Sequence, residues 1–507
     1  MDNSIDRSNK KAKWTLMKYV KSFDLLVHYA KLLRELKAKI DEDSIVEINS
    51  IMEGMGVYQP RFGKPSVDTT NFKICQIVYS MFAYRSFESK GKEVVFSPLG
   101  NLLLDHINDT RIVSKVFATM LYALPFNHPY NKMDPSFNLY PFRLVFKLLT
   151  DDRLDCKLYE DELFYYVLWV KDIDENSYDK LVKDIVAFRA LPADNKIALF
   201  TNRLSVQDAL ANALHETHYL FGQLNSSGIA QVHKGDKICT LHHGGFGRKE
   251  VPDYLSDQEL AQVKFTGHRN YTKSYITLVS DIQKLLTDLL DTYPYYEKPH
   301  DLASVLDTHD YVLQLYNFYP KELLASLGIT QSRIQTILQI TEDIKRLSRN
   351  QDEGDCYRFE DALTNAFNEF DDVEAIKIGG AGNSDIECMY LAINEKFDVE
   401  AKSTQTKLAG INAGRLRLHR MKIGSKYTVV VAPYYKPSVE SDIANSETVM
   451  ITASSLSNYL YQYSIHSRNG ELSYKPLYDI IQLSLGKNIT SLVNDYVYSH
   501  FGIGKRS

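Results

Sequence analysis

The chain has 507 residues, 44 % hydrophobic and 24 % charged, with a formal net charge of −5. That is the balance of an ordinary globular protein with room for about two to four domains, and it excludes a polycation that holds nucleic acid by bulk charge. No apolar run approaches the ~20 residues of a membrane span.

The N-terminal MDNSIDRSNKKAKW has charges with no apolar segment behind them, so it is not a secretory signal. Five scattered cysteines (Cys75, Cys156, Cys239, Cys356, Cys388) lack any CxxC spacing and fit free thiols in a reducing cytosol.

Apolar residues three and four apart predict helices over 14–56 and, after a break at Gly63-Lys64-Pro65, over 69–87. Residues 92–104 read as a short strand running into a helix, with Ser97 as N-cap and Pro98 at the first helical position. Such strand-then-helix units occur in winged-helix modules. A Pro/Asn-rich loop over 125–141 precedes helices over 142–149, 158–170 and 178–189. A longer helix over 204–222 opens with Ser205 and Asp208 and stops at Gly228. Residues 229–233 and 237–241 then read as a hairpin around Lys234-Gly235-Asp236. A helix followed by a hairpin tipped by Lys234 and Lys237 is the layout of a winged-helix DNA reader. Helices follow over 274–290 and 320–349, and the acidic, apolar-free 350–355 reads as a linker. The chain thus divides into a recognition half with winged-helix-like modules (1–245), a helical connector (246–350) and a last domain (351–507). The fold class is mixed α+β, helical and winged-helix first, α/β last.

In the last domain a helix over 360–370 and a strand over 373–377 lead to a glycine turn at Gly379 and Gly380. A hairpin follows, with Asp385 before its first strand, a turn at Asn394-Glu395, and Glu400-Ala401-Lys402 at the end of its second strand. Alternation points Glu400 and Lys402 one way, and Phe397, Val399 and Ala401 into the opposite apolar layer. Two carboxylates and an ammonium converging at one end of a hairpin suit a hard divalent cation and a polarised water. A helix over 407–421, strands over 427–432 and 449–452, and helices over 455–463, 474–485 and 491–500 complete the domain.

Residues 401–436 carry Lys402, Lys407, Arg415, Arg417, His419, Arg420, Lys422, Lys426 and Lys436, with no Asp or Glu. An acid-free basic run beside paired carboxylates is what an anionic polymer held over a metal site would need. Lys407, Arg415, Arg417 and His419, with Lys234 and Lys237, are the expected DNA contacts. Glu387 and Asp398 share strand faces with Asp385 and Glu400 and are read as decoys, Asp398 being the alternative ligand. Cys239, His242 and His243, with His233 near, lack the second ligand pair of a zinc site and read as structural. Gly244–Gly247 and Gly379–Gly382 lack the Lys-Ser/Thr of a phosphate loop.

The pattern Asp385…Glu400-x-Lys402 resembles the PD-(D/E)xK nuclease superfamily, with Ser384 where its name implies proline. Residues 355–463 (Glu360, GNSDI, KFDVEAKS, YTVVVAPYY) resemble the cleavage core of HindIII-type restriction endonucleases. EVVFSPLGNLLL and LYPFRLVFKLL resemble segments of AlwI-type type IIS enzymes and related nicking endonucleases. The resemblance implies a bacterial, cytoplasmic, Mg2+-dependent type II endonuclease that cuts double-stranded DNA at an offset from a short site. Asp385 and Glu400 would hold Mg2+, with the Ala401 carbonyl adding a ligand and Glu360 as an outer or second-metal carboxylate. Lys402 would orient or deprotonate the water or stabilise the phosphorane. One active site per chain implies a dimer, a second subunit or sequential nicking for double-strand cleavage. A PD-(D/E)xK nuclease of repair or transposition, and an inactive winged-helix DNA-binding protein, stand as alternatives.

Overall fold

The computed structural model describes residues 7–9, 11–16, 22–57, 77–85, 93–126, 128, 130, 136–201, 204–243, 267–299, 308–328, 332–380, 383–467 and 470–502. The chain forms two compact units. The first comprises Met1–Leu36, Asp41–Phe82 and Asn101–Leu302; the second comprises Lys37–Ile40, Ala83–Gly100 and Ala303–Ser507.

The first unit is mostly helical. Its helices include Phe23–Glu35, Thr110–Tyr122, Pro141–Leu149, Glu175–Arg189, Leu204–Ser226 and Ser280–Thr292. Their starts follow the local chemistry. Asp109 accepts the N–H groups of Arg111 and Ile112, Pro141 sits in the first turn, and Asp174 and Ser177 form a reciprocal capping box. Helix Leu204–Ser226 already contains Ser205 and Asp208, so these do not open it, and Gly228 takes the left-handed conformation (φ +74°) just past its end.

Three expectations change here. The helix expected over 158–170 begins as a strand, Lys157–Tyr159, because Leu158 pairs with Ile276; Glu162 then accepts the Tyr159 N–H at 3.0 Å and starts the helix at Glu160. Residues 275–278 are a strand, Tyr275–Leu278, and not the first turn of a helix. The two segments 229–233 and 237–241 do not form a hairpin with each other. Ala230–His233 pairs with Tyr275–Leu278, and Lys237–His243 pairs with Gly267–Thr272. Lys234-Gly235-Asp236 is therefore a kink in a chain that keeps going, opposite a second kink at Lys273-Ser274. Gly235 donates to Ser274 Oγ at 3.1 Å, and Lys273 donates to the Asp236 carbonyl at 2.9 Å. A Cβ on Gly235 would lie 2.3 Å from the Lys273 carbonyl carbon, so this close approach requires glycine. Lys234 and Lys237 are exposed at this kink instead of at a wing tip.

The helix expected over 69–87 lies partly outside the described residues; Ala83–Arg85 is a strand, paired antiparallel with Val94–Phe96. This hairpin belongs to the second unit. There Tyr84 Oη donates to Asn458 Oδ1 at 2.7 Å, Gln462 to the Phe96 carbonyl at 3.3 Å, and Tyr498 Oη to the Arg85 carbonyl at 3.0 Å. Ser97 caps the helix that follows, accepting the Gly100 N–H at 3.0 Å.

From residue 308 the second unit runs α1 (Thr308–Tyr316), α2 (Lys321–Leu327), α3 (Arg333–Leu347), α4 (Asp355–Asn368), β1 (Val373–Lys377), β2 (Ile386–Tyr390), β3 (Glu395–Ala401), α5 (Ala413–Ile423), β4 (Thr428–Ala432), α6 (Ser438–Ile443), β5 (Thr448–Thr452), α7 (Ala453–His466), α8 (Lys475–Gln482) and α9 (Thr490–Phe501). The five strands form one sheet in the order β5-β4-β3-β2-β1. β1, β2 and β3 pair antiparallel, and β3, β4 and β5 pair parallel. One sheet face carries Phe397, Val399, Val429 and Val431 into a core with α3, α4, α7, α8 and α9. The other carries Val430 and Met450 against Leu416 of α5 and Val439 and Ile443 of α6. The Phe397 ring lies nearly parallel to those of Tyr427 and Tyr474, with centroids at 5.2 and 4.9 Å.

The helix expected over 407–421 starts later, at Ala413. Leu408 bridges Tyr435 in parallel, which keeps it out of the helix, and Asn412 caps the helix by accepting the Arg415 N–H at 2.9 Å.

Candidate active site

β3 carries Asp398 and Glu400 on one face and Phe397 and Val399 on the other, because side chains alternate along a strand. That polar face is the one α5 covers. Both acids are buried, Asp398 at 0 % and Glu400 at 1 % exposure, in a sheet interior where acids ordinarily do not sit.

Asp385 stands immediately before β2. Its carbonyl accepts the N–H groups of Ile378 and Gly379, which closes the loop from β1. Gly379 and Gly380 both take positive φ there (+59° and +93°), which only glycine adopts readily. Across the hairpin, Asp385 Oδ2 accepts the Ala401 N–H at 2.8 Å. Lys402 Nζ meets Glu400 Oε1 at 2.5 Å, while Glu400 Oε2 is buried without a hydrogen-bond partner. Burial pushes the Asp385 carboxyl up to about 6. The Glu400 charge and, more weakly, Glu360 add to that rise, while the Ala401 N–H and Lys402 oppose it.

The structure thus brings Asp385, Glu400 and Lys402 together. Glu360, on α4, lies within electrostatic reach of Asp385 but its Oε2 pairs with Lys377 Nζ at 3.3 Å, a partner from the end of β1 that sequence reading missed. Among the described residues no three acid, histidine or cysteine side chains converge on one point. The carboxylate set at this site is therefore Asp385 and Glu400. The residues fit a hard cation on one direct observation: Glu400 Oε2 is a buried carboxylate oxygen with nothing bound to it, an expensive state unless an ion or water takes it.

Asp398 is occupied differently. Ser384 donates to its Oδ2 at 2.9 Å and Thr428 to the same oxygen at 3.1 Å. Arg420 donates to Thr428 and Thr448 at 3.0 Å each and to Glu447 at 2.7 Å. Burial holds the Asp398 carboxyl up at about 7. Glu387 pairs with Lys396.

The basic run divides by helical geometry. Leu416, His419, Arg420 and Ile423 recur at three- and four-residue spacing on the covered side of α5, whereas Arg415, Arg417 and Lys422 are exposed. Lys407 is half-buried before the helix. His419 does not share the exposed face expected of a DNA contact. It is 4 % exposed, and its Nδ1 has no hydrogen-bond partner. The spacing from Leu416 was the signal that could have placed it inside. His233, expected to be structural, stacks on Tyr275 at 4.5 Å and meets Thr277 Oγ1 at 2.9 Å. Gly244–Gly247 lie outside the described residues.

Residues 8–293 match the family model of the N-terminal domain of the type II restriction endonuclease HgaI. The type II restriction enzyme HgaI of Avibacterium volantium is 37 % identical over 498 residues, spanning 96 % of this chain and 98 % of that protein. Among solved structures, restriction endonuclease FokI aligns over 94 % of this chain and 100 % of its own at 10 % identity and a TM-score of 0.28. FokI bound to DNA aligns over 84 % and 83 % at 10 % identity and a TM-score of 0.26. The relative's match runs through both units, Asp385, Glu400 and Lys402 included in its span. On these sequence matches, the chain belongs to the HgaI family of type II restriction endonucleases.

Proposed function

We propose that the chain is a site-specific endonuclease of the type IIS kind, which hydrolyses phosphodiester bonds of double-stranded DNA with Mg2+ at an offset from a short site. The first unit supplies recognition, and the second is a PD-(D/E)xK cleavage module of the HindIII type. The observation that carries this reading is the unpartnered, buried Oε2 of Glu400 beside Asp385 and Lys402. Asp385, Glu400 and the Ala401 carbonyl would hold Mg2+, which when bound supplies positive charge to the phosphate and acidity to a water. Lys402, already beside Glu400, orients that water or neutralises charge on the phosphoryl oxygens. The water oxygen joins phosphorus as the P–O3′ bond breaks, leaving a 5′-phosphate and a protonated O3′. Arg415 and Arg417, exposed on α5, meet the DNA backbone, with Lys407 before the helix and Lys234 and Lys237 at the kink of the first unit. Because the described residues carry one such site per chain, cutting both strands takes a homodimer, a second subunit or two successive nicks. The setting is a bacterial cytoplasm; among the described residues no helix is long and apolar enough to cross a membrane.

The test is plasmid cleavage with Mg2+ by the wild type and by Glu400→Ala. Discrete fragments or site-specific nicks that the variant no longer makes are expected. DNA shifted but never cut, with every divalent cation tried, would overturn the reading, and a smear without site preference would instead indicate a non-specific nuclease.

A further inference from the structure

Two buried side-chain atoms at the candidate site lack any hydrogen-bond partner: Glu400 Oε2 and His419 Nδ1. They arrive from different elements. Glu400 projects from β3 toward the covered sheet face, and His419 projects from α5 onto it. The helix cannot turn His419 away, because Leu416 packs into the apolar cluster with Val430 and Met450 three residues earlier. Arg420, one residue later, is fixed by Thr428, Thr448 and Glu447. Burial holds the His419 imidazole below its usual range, and Glu400 is first among the charges acting on it, ahead of Arg415, Lys402 and Lys422. A buried polar atom without a partner is costly. Two such atoms, on a strand and a helix that pack on the same face of the sheet and are each pinned independently, point to one shared role.

We propose that His419 is a positioning residue for Glu400: through one bridging water its Nδ1–H holds one lone pair of Glu400 Oε2, in the orientation that presents the other to a divalent cation. This rests on the metal-site reading above. Lys402 already fixes the other oxygen, Oε1. With both oxygens held, the carboxylate loses its freedom to rotate, and cation binding no longer has to order it. Partners of this outer kind typically set affinity or activity by about 10–100-fold.

The experiment is a calorimetric titration of the full chain, without DNA, using Mn2+ as the probe, on wild type, Glu400→Ala, His419→Ala, His419→Asn and His419→Gln. The melting temperature of each metal-free protein is measured alongside. Asn places its amide nitrogen near the Nδ1 position, and Gln near Nε2. His419→Ala is expected to weaken Mn2+ binding about 10–100-fold. His419→Asn restores most of the affinity and His419→Gln does not. Should His419→Ala fail to fold, the Asn and Gln pair decides alone: tighter binding in His419→Asn than in His419→Gln supports the role, and equal affinities or the reverse order overturn it. Wild-type affinity in all three His419 variants, with binding lost in Glu400→Ala, overturns the positioning role and leaves the metal site standing. Wild-type affinity in Glu400→Ala overturns the metal-site reading itself.

Discussion

Asp385 Oδ2 accepts the backbone N–H of Ala401, the residue between Glu400 and Lys402, at 2.8 Å. One hydrogen bond thus fixes the spacing of the two acids across the hairpin, and it needs an acceptor but no charge. Asp385→Asn keeps an acceptor oxygen and removes the charge. It should therefore leave the fold and DNA affinity near wild type while single-turnover cleavage falls by several kcal/mol of transition-state stabilisation, about a hundredfold or more in rate. Parallel loss of folding and cleavage would show that Asp385 acts structurally.

Asp398 gives a pH signature in stability. Its carboxyl, ordinarily at 3.8, sits at about 7 in the fold because burial disfavours the charge. Between these values the folded state keeps a proton that the unfolded chain has lost. Stability contributed by that proton is present at the acid end, declines as pH rises from about 4 to 7, and stays lost above. Asp398→Asn removes the titration. Relative to wild type, the variant should gain about 2–4 kcal/mol on going from pH 4 to pH 8, on top of any constant offset. Urea unfolding of both proteins across that range tests this, and a pH-independent difference would sink it.

Phe397 shares β3 with Glu400 but faces the opposite core. Truncating a buried ring that stacks on both Tyr427 and Tyr474 should cost about 3–5 kcal/mol. At a temperature where Phe397→Ala is still folded, its cleavage rate should approach wild type. A variant that is stable but inactive would place Phe397 in the chemistry.

Gly235→Ala tests the kink in the first unit. The new Cβ would lie 2.3 Å from the backbone of Lys273, so one of the two strands must shift, at about 1–3 kcal/mol. Thermal unfolding should show the loss; a neutral substitution would mean that the two kinks do not meet closely in solution.

Arg415→Ala and Arg417→Ala should weaken DNA binding at every sequence. Each should flatten the plot of log affinity against log salt by about 1 for each lost phosphate contact. An unchanged slope would remove that arginine from the interface.

The hairpin over 386–401 was legible because both strands alternate cleanly and Asn394 accepts the positive φ its turn requires (+52°). The shared face of the candidate site residues Glu400 and Lys402 came with it, since a strand's period of two fixes which neighbours share a face. Elements decided by remote partners were not legible. Leu158 becomes a strand through Ile276, more than a hundred residues away, and Leu408 stays out of the helix through its bridge to Tyr435. Lys234-Gly235-Asp236 has the composition of a reversing turn, and only the approach of Lys273 makes it a kink. The split of the basic run into an inward His419 and Arg420 and an outward Arg415 and Arg417 was written in the spacing from Leu416, but a count of charges hides it.

The strand pair Ala83–Arg85 and Val94–Phe96 has a consequence for anyone who would transplant the second unit. Its hydrogen bonds reach Asn458, Gln462 and Tyr498, on the last helices of the chain. A fragment begun at residue 351 would leave Asn458 and Gln462, both buried, without those partners. During synthesis the same ribbon leaves the ribosome long before α7 and α9 exist, so the second unit closes only when the chain is almost finished. Grafting it onto another DNA-binding protein would require carrying residues 83–96 along, spliced ahead of the rest.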